Sequence, residues 1–330
     1  MNEKTMPDAA LGIGKEKPSP PDPTERNQPL PGVEIKPVLG DPEAPEAVRD
    51  ILASPSYREA SEDLDFLRGP TTRGVRLQLE YLKAEMLLRD HDVAHTIVVF
   101  GGTRIPEPQE ALRIVEARRA QFTADPRNEG LAKRLLIAER LLEKSKYYTM
   151  ARAFGRIVGE QGAHARDGRL LIMTGGGPGI MEAANRGASD VGALSIGLNI
   201  SLPHEQYPNA YITPELCLRF HYFALRKFHF VLRARALVAF PGGFGTMDEV
   251  FEILALSQTR KTPPVPVILV GESYWKRAFD PDFLVEEGVI DPEDRKLFWF
   301  AESAEEVWQD ILRWYEAKGE PLLAHQERTL

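Results

Sequence analysis

The residues best suited to chemistry are a glycine-rich loop and an acidic side chain that follows it. Residues 241–246 have the sequence P-G-G-F-G-T, and Glu249 comes three positions later. Glycine lets the backbone approach a ligand closely, and the first turn of a helix offers unpaired N–H groups and a positive dipole end to a phosphate. Thr246 adds a hydroxyl donor at that turn. The pattern predicts a phosphate site with a carboxylate about one turn away.

Glu249 also has a purely structural explanation. Thr246 and Glu249 have the spacing of a capping box, in which each side chain satisfies a backbone N–H group at the start of a helix. A glutamate in that role would still stand close to the phosphate-binding N–H groups. The anomeric carbon of a nucleotide lies only one sugar away from its phosphate. Capping and catalysis therefore both remain open for Glu249.

Two further glycine-rich turns follow apolar runs, at residues 101–103 (G-G-T) and 175–179 (G-G-G-P-G). Tight turns would explain any one of the three loops, but three at strand ends favour a ligand site. Neither longer loop has the G-x-G-x-x-G pattern with an acidic residue about twenty positions later, and there is no G-x-x-x-x-G-K-[ST] run. A mononucleotide is therefore favoured over a dinucleotide.

An arginine-rich segment precedes the apolar run that leads to the third loop. Arg219, Arg226 and Arg233 recur every seven residues, which predicts one shared helical face among large aromatic side chains. A solvated basic stripe is one explanation of that spacing. The other is that this helix brings an arginine to a phosphate or a purine, by a bidentate contact or by stacking.

The elements that must position these residues alternate between strand and helix. Strands are predicted at 96–100, 169–173, 193–199, 236–240 and 265–270. Strands that are apolar almost throughout and separated by helices indicate a parallel sheet covered on both faces. The sequence thus predicts an α/β fold, a Rossmann-like doubly wound parallel sheet that binds ligands at the carboxyl ends of its strands.

The N-terminal part differs in composition from the rest. Residues 1–45 hold ten of the 26 prolines and no apolar periodicity, which predicts a disordered tail. A helical extension packed on the main domain is expected at 46–92, and the catalytic domain at 93–330 with a charged helical insertion at about 108–146. One apolar face marks the extension at Val75, Leu79, Leu82 and Met86.

Composition excludes several classes of protein. The 330 residues carry a formal net charge of -8, which argues against a nucleic-acid binder but is compatible with a small anionic ligand. Cys217 is the single cysteine, so an intrachain disulfide and a thiolate zinc site are excluded, and a cytoplasmic location is expected. No run of about eighteen apolar residues suggests a membrane span. We expect no metal and no cofactor.

Three segments together resemble the Lonely Guy family of phosphoribohydrolases, some of which release cytokinins from their riboside 5'-monophosphates. The segments are 175–185 (G-G-G-P-G-I-M-E-A-A-N), 223–227 (F-A-L-R-K) and 241–249 (P-G-G-F-G-T-M-D-E). The similarity extends from about 96 to about 270, and residues 202–206 with Asn209 resemble the longer bacterial members. Many members were once labelled lysine decarboxylases, but no feature of this sequence marks a pyridoxal-phosphate lysine.

The resemblance implies hydrolysis of the N-glycosidic bond of purine nucleoside 5'-monophosphates, with Arg226 and Glu249 as the catalytic pair. It also implies a homo-oligomer. Glu182 stands where short members tend to carry glycine, so base specificity is not transferred. The resemblance also implies that Gly242, Gly243, Gly245 and Thr246 hold the 5'-phosphate. The other predicted substrate- and phosphate-binding residues are Gly102, Thr103, Gly176, Gly177, Lys227 and Asp248.

Other classes of function remain open from the sequence. The same fold and phosphate loop are compatible with a non-catalytic nucleotide-binding, cofactor-carrier or sensor protein. An interaction protein could use the proline-rich tail to recruit a partner. A DNA-handling Rossmann protein is disfavoured by the acidic charge.

Overall fold

The computed structural model describes residues 44–165, 168–201 and 207–323. The chain forms two compact units that divide between Gly69 and Pro70, inside the predicted extension. The first unit contains the helices α1 (Ala44–Ala53) and α2 (Leu64–Arg68), and Asp63 caps α2 by accepting the Phe66 amide at 3.0 Å. Residues 1–43 of the predicted tail, and the segment 202–206, lie outside the described residues.

The second unit is built on a seven-stranded sheet in which every described pairing is parallel. Its strands are β1 (Val93–Phe100), β2 (Arg169–Thr174), β3 (Ser195–Ile200), β4 (Cys217–Phe220), β5 (Ala234–Ala239), β6 (Val267–Val270) and β7 (Trp299–Ala301). The spatial order is β4-β3-β2-β1-β5-β6-β7. The predicted Rossmann-like fold is therefore confirmed.

Helices cover both faces of the sheet. In the described residues they are α3 (Arg73–Asp90), α4 (Pro108–Ala124), α5 (Glu129–Lys144), α6 (Lys146–Gln161), α7 (Ile180–Asp190), α8 (Phe223–Leu232), α9 (Phe244–Gln258), α10 (Glu272–Ala278), α11 (Pro281–Glu286) and α12 (Ala304–Ala317). Ile97 and Val99 of β1 pack with α6, α7 and α12, whereas Val98 and Phe100 pack with α3, α8, α9 and α10. None of these helices has the length and apolar character that crossing a membrane requires.

The strand order reverses at β1. The chain proceeds from β1 outward through β2, β3 and β4, and then returns to β5 on the opposite side of β1. In open parallel sheets, ligands bind outside the carboxyl ends of the strands at such a reversal. The first glycine loop follows β1 and the third follows β5, so both lie at this point, with the second loop next to them after β2.

Two sequence-based expectations about helical faces need correction. Arg219, Arg226 and Arg233 do not share a face, because Arg219 lies on β4 and α8 spans only Phe223–Leu232. The pairing of Phe220 with Ile200 keeps that segment in the sheet. The predicted helix around residue 80 is confirmed as α3, but it packs through Ala84 and Leu88. Its predicted apolar face is about half exposed, at Val75, Leu79, Leu82 and Met86.

Candidate active site

Backbone hydrogen bonds join the three glycine loops. The Gly102 amide donates to the Pro241 carbonyl oxygen at 2.9 Å, and the Gly102 carbonyl accepts from the Ile180 amide at 3.3 Å. The approach is close enough to require glycine, since a Cβ atom at Gly179 would lie 2.4 Å from the Gly102 carbonyl oxygen. The three loops thus form one continuous backbone surface at the reversal of strand order.

This surface encloses the candidate catalytic cavity, which has a volume of about 290 Å³. Its walls come from the three loops, the end of β3 and the facing sides of α8 and α9. The lining residues are Phe100, Gly101, Gly102, Thr103, Gly175, Met181, Asn199, Ile200, Phe223, Arg226, Gly243, Gly245, Thr246 and Glu249. Both predicted catalytic side chains, Arg226 and Glu249, therefore lie at one cavity.

The third loop leads directly into α9, whose first turn forms part of the cavity wall. Gly243 occupies the N-cap position, and the helix begins at Phe244 without a side-chain cap. The capping-box explanation of Glu249 is therefore wrong, because Thr246 is already the third helical residue rather than the cap. A Cβ atom at Gly242 would lie 2.1 Å from the Thr246 hydroxyl oxygen, so glycine is required there. The free N-terminal amides of α9 offer a phosphate site.

Glu249 is buried, with 4% of its surface exposed. Burial raises the pKa of the Glu249 carboxyl to about 7, while the positive charges of Lys227 and Arg226 oppose this rise. A carboxyl group that is removed from water favours its neutral form. The side chain is therefore divided between its protonated and ionised forms near neutral pH, as a group that exchanges protons during catalysis requires.

Arg226 projects from α8 and is held in place by backbone acceptors. Its Nε donates to the Leu198 carbonyl oxygen at 2.7 Å, and its Nη2 donates to the Gly175 carbonyl oxygen at 3.3 Å. The guanidinium carbon lies 5.7 and 5.1 Å from the ring centroids of Phe223 and Phe230. Burial lowers the pKa of Arg226, and the charge of Glu249 partly offsets this effect. These contacts thus fix the orientation of the planar Arg226 guanidinium group at the cavity wall.

Helix α3 fixes both ends of α8. The Glu80 carboxylate accepts the backbone amides of His221 and Tyr222, just before the first turn of α8. At the other end, Arg233 donates to both carboxylate oxygens of Glu85, at 2.6 and 2.8 Å. The helix that carries Arg226 is therefore anchored by charged hydrogen bonds, which are stronger than neutral ones.

Buried asparagines hold the second glycine loop. The Asn209 side chain donates to the Gly177 carbonyl oxygen at 3.1 Å and to Asn185 Oδ1 at 3.0 Å. Gly176 has a φ of +72°, and a Cβ atom there would lie 2.0 Å from Asn199 Oδ1. Gly176 and Gly177 therefore determine the shape of the loop, but they do not line the cavity.

Three other predicted residues also lie outside the cavity lining. Lys227 Nζ forms ion pairs with Asp248 at 2.8 Å and Glu252 at 3.2 Å. The Gly242 carbonyl accepts a hydrogen bond from the Tyr274 hydroxyl. The substrate contacts predicted for Lys227, Asp248 and Gly242 remain predictions. In the described ranges, no group of three or more His, Cys, Asp or Glu side chains is arranged to hold a metal ion.

Asn199 and Phe223 line the cavity but were not among the predicted site residues. Asn199 lies at the carboxyl end of β3, where the rule for parallel sheets places ligands. That rule would have identified it. Phe223 belongs to the segment that resembles the Lonely Guy family, but its position beside Arg226 depends on where α8 begins.

The buried carboxyl group predicts a pH-dependent change in stability when Glu249 is replaced by glutamine. A pKa of about 7 in the folded protein exceeds the ordinary 4.5, so the folded state binds more protons between these values and the group destabilises the fold as pH rises. Glu249→Gln should raise the free energy of unfolding at pH 8, on the order of 3 kcal/mol at most. The difference should shrink towards pH 5.

Urea unfolding at pH 5 and pH 8 measures this effect. Glu305 on α12 provides a control, since Glu305→Gln removes an exposed carboxylate that does not line the cavity. An equal effect of Glu249→Gln at both pH values would show that the Glu249 carboxyl is not perturbed as described.

Comparison with known proteins adds independent observations. A family model described as possible lysine decarboxylase matches residues 181–311. A probable cytokinin riboside 5'-monophosphate phosphoribohydrolase of Oryza sativa subsp. japonica is 31% identical over 140 residues, which are 42% of this chain and 60% of that protein. A cytokinin riboside 5'-monophosphate phosphoribohydrolase of Arabidopsis thaliana is 28% identical over 140 residues, 42% of this chain and 64% of that protein. The chain thus spans about six tenths of the length of these relatives.

Solved structures show more distant likenesses. The molybdenum cofactor binding protein from the phototrophic bacterium Rippkaea orientalis is 23% identical, with a TM-score of 0.36, over 50% of this chain and 85% of that chain. The Moco carrier protein from Chlamydomonas reinhardtii is 19% identical, with a TM-score of 0.39, over 68% of this chain and 98% of that chain.

Proposed function

We propose that this chain is a phosphoribohydrolase of the Lonely Guy family that cleaves the N-glycosidic bond of purine nucleoside 5'-monophosphates, which its similarity to the relatives above supports. AMP is the reference substrate, and cytokinin riboside 5'-monophosphates are further candidates. One observation carries the proposal: the buried Glu249 carboxyl, with a pKa of about 7, lies at the same cavity as Arg226 and the first turn of α9. We also propose a cytoplasmic location and a homo-oligomer.

In the proposed complex, the 5'-phosphate binds at the start of α9. The amides of the first helical turn, the Thr246 hydroxyl and the backbone of the Gly102-Thr103 loop surround the anion. The Arg226 guanidinium group lies on the facing wall, where it binds the nucleotide or stabilises the departing purine. The ribose then lies between the phosphate site and Glu249.

The chemistry follows from the charge that develops on the sugar. As the C1'–N9 bond breaks, positive charge accumulates on the ribose ring, as in the oxocarbenium-like transition state of glycosidases. The ionised Glu249 stabilises that charge and orients the attacking water, whose oxygen forms the new bond to C1'. One proton of the water goes to the departing purine by way of the carboxylate. The products are the free base and ribose 5-phosphate.

The pH dependence of this reaction should reflect the titration of Glu249. Because the ionised carboxylate is the active form in the proposal, kcat/KM rises with pH through about 7. The positive charge of Lys227 lowers the pKa of Glu249. Lys227→Met should therefore shift the rising limb of the profile to higher pH, which the pH dependence of adenine release from AMP would measure.

A surface lysine provides the control for that shift. Lys276 is paired with Glu272 on the exposed side of α10, so Lys276→Met removes the same charge without affecting Glu249. A profile that moves equally in both variants would indicate a change in net charge rather than a local effect on Glu249.

A panel of nucleoside monophosphates tests the proposed function. Purified protein is incubated with purine and pyrimidine 5'-monophosphates and with a cytokinin riboside 5'-monophosphate, and free base is followed by chromatography. We expect base release from at least one purine nucleotide. Tight binding of AMP with no base released from any nucleotide would favour the non-catalytic nucleotide-binding or carrier alternative.

A further inference from the structure

A second cavity, of about 620 Å³, lies where the junction of α5 and α6 meets α9 and α10. Tyr274 of α10 and Met247 of α9 form part of its wall. The Tyr274 hydroxyl also donates to the Gly242 carbonyl in the third glycine loop. This second cavity is thus separate from the candidate catalytic cavity but directly connected to the loop that forms it.

The lining of the second cavity is strongly basic. Arg140, Lys144, Lys146 and Arg277 contribute four cationic side chains, against the single carboxylate of Glu143. Within the described part of the chain, none of the four has a carboxylate oxygen within 4.0 Å. We call this the basic cavity. Its charge is opposite to the formal net charge of -8 of the whole chain.

Lys146 Nζ lies 5.0 Å from the centroid of the Tyr147 ring, but no carboxylate neutralises any of the four cations in the described residues. Like charges around one cavity repel one another, and a multivalent anion between them would relieve that repulsion. Arginine guanidinium groups bind phosphate oxygens in a bidentate manner, and lysine ammonium groups bind them as point charges. Since Arg140 and Lys144 come from α5 and Arg277 from α10, an anion there would be held from two sides. A group with several negative charges and many acceptor oxygens fits this arrangement best.

We propose that the basic cavity binds the polyphosphate group of a small molecule. The inference rests on the charge and geometry of the cavity and does not depend on the proposed hydrolase activity. The ligand is either an inorganic polyphosphate or a nucleoside polyphosphate, because both present the same chain of phosphates. The Tyr274 contact with Gly242 would place the bound phosphates next to the loop that holds the substrate.

Isothermal titration calorimetry of the full chain with inorganic tripolyphosphate and with ATP tests the proposal. We expect saturable binding that Arg140→Gln/Lys144→Gln weakens by about tenfold or more, since two charge-assisted contacts are lost. Arg277→Gln, from the opposite wall, should weaken the same binding independently. ATP binding that is tighter than tripolyphosphate binding, and that Arg140→Gln/Lys144→Gln weakens, would identify a nucleotide as the ligand of the basic cavity. Equal binding of the two compounds would identify the polyphosphate chain alone.

A matched control lies on the same helix. Lys133→Gln/Arg134→Gln removes the same charge from α5 at two exposed residues outside the basic cavity, and glutamine keeps the helix propensity similar. This control should bind tripolyphosphate as the wild type does. No binding to the wild type, equal weakening by both double variants, or unchanged binding in Arg140→Gln/Lys144→Gln would overturn the proposal.

Discussion

Replacement of Glu249 by glutamine should lower kcat for AMP hydrolysis by roughly 10²- to 10⁴-fold. Glutamine has nearly the same shape, so α9 and the cavity are preserved, but it carries no negative charge and exchanges no proton. The developing charge on the ribose then loses its stabilising carboxylate, and the attacking water loses its base. Because these interactions form mainly in the transition state, KM should change much less than kcat.

Steady-state release of adenine from AMP measures this loss, and calorimetry with AMP confirms that the variant still binds the nucleotide. Glu305→Gln is the control, since Glu305 is an exposed glutamate on α12, carries the same charge and does not line the cavity. It should turn over AMP at close to the wild-type rate. Turnover at the wild-type rate in Glu249→Gln would show that Glu249 is not a catalytic residue.

Replacement of Arg226 by lysine should have the second-largest effect, a decrease in kcat/KM of roughly 10²- to 10³-fold. Lysine keeps the charge but lacks the planar fork that donates to the carbonyl oxygens of Leu198 and Gly175 and stacks near Phe230. An ammonium group in that buried position also favours its neutral form more readily than a guanidinium does. Both effects should weaken the interaction of residue 226 with the bound nucleotide.

Arg219→Lys is the control for Arg226→Lys. Arg219 is exposed on β4, where its Nε donates to the Ser201 hydroxyl oxygen at 3.1 Å, and it does not line the cavity. Kinetics with AMP should therefore separate the two arginines, which the seven-residue spacing alone treated as equivalent. Similar losses in both variants would mean that Arg226 has no special role at the cavity.

The elements that carry the loops were predictable because their sequence signals are local. The runs 97–100 and 236–240 are apolar and buried throughout, and a glycine loop directly follows each of them. The strands β4 and β7 were not predicted, since they have only four and three residues and their formation depends on pairing with β3 and β6. Short segments have too little periodicity to be recognised without their neighbours.

In the candidate site, too, only the features with a local sequence signal were predictable. The motif identified Glu249 and Thr246, but the sequence left capping and catalysis open because both require the same spacing. Where α9 begins decided against the cap, and that start depends on how the third loop packs against Gly101 and Gly102. The raised pKa of Glu249 was also beyond the sequence, because burial arises only from tertiary packing.

The proposed reaction is the hydrolysis of a nucleotide that the protein holds by its 5'-phosphate. The most direct test compares AMP with adenosine as substrates for the purified wild-type protein, with adenine and ribose 5-phosphate quantified together. We expect AMP to yield both products in equal amounts, and adenosine, which lacks the phosphate that binds at the start of α9, to remain almost uncleaved. Cleavage of neither compound, or equally fast cleavage of both, would contradict this proposed activity.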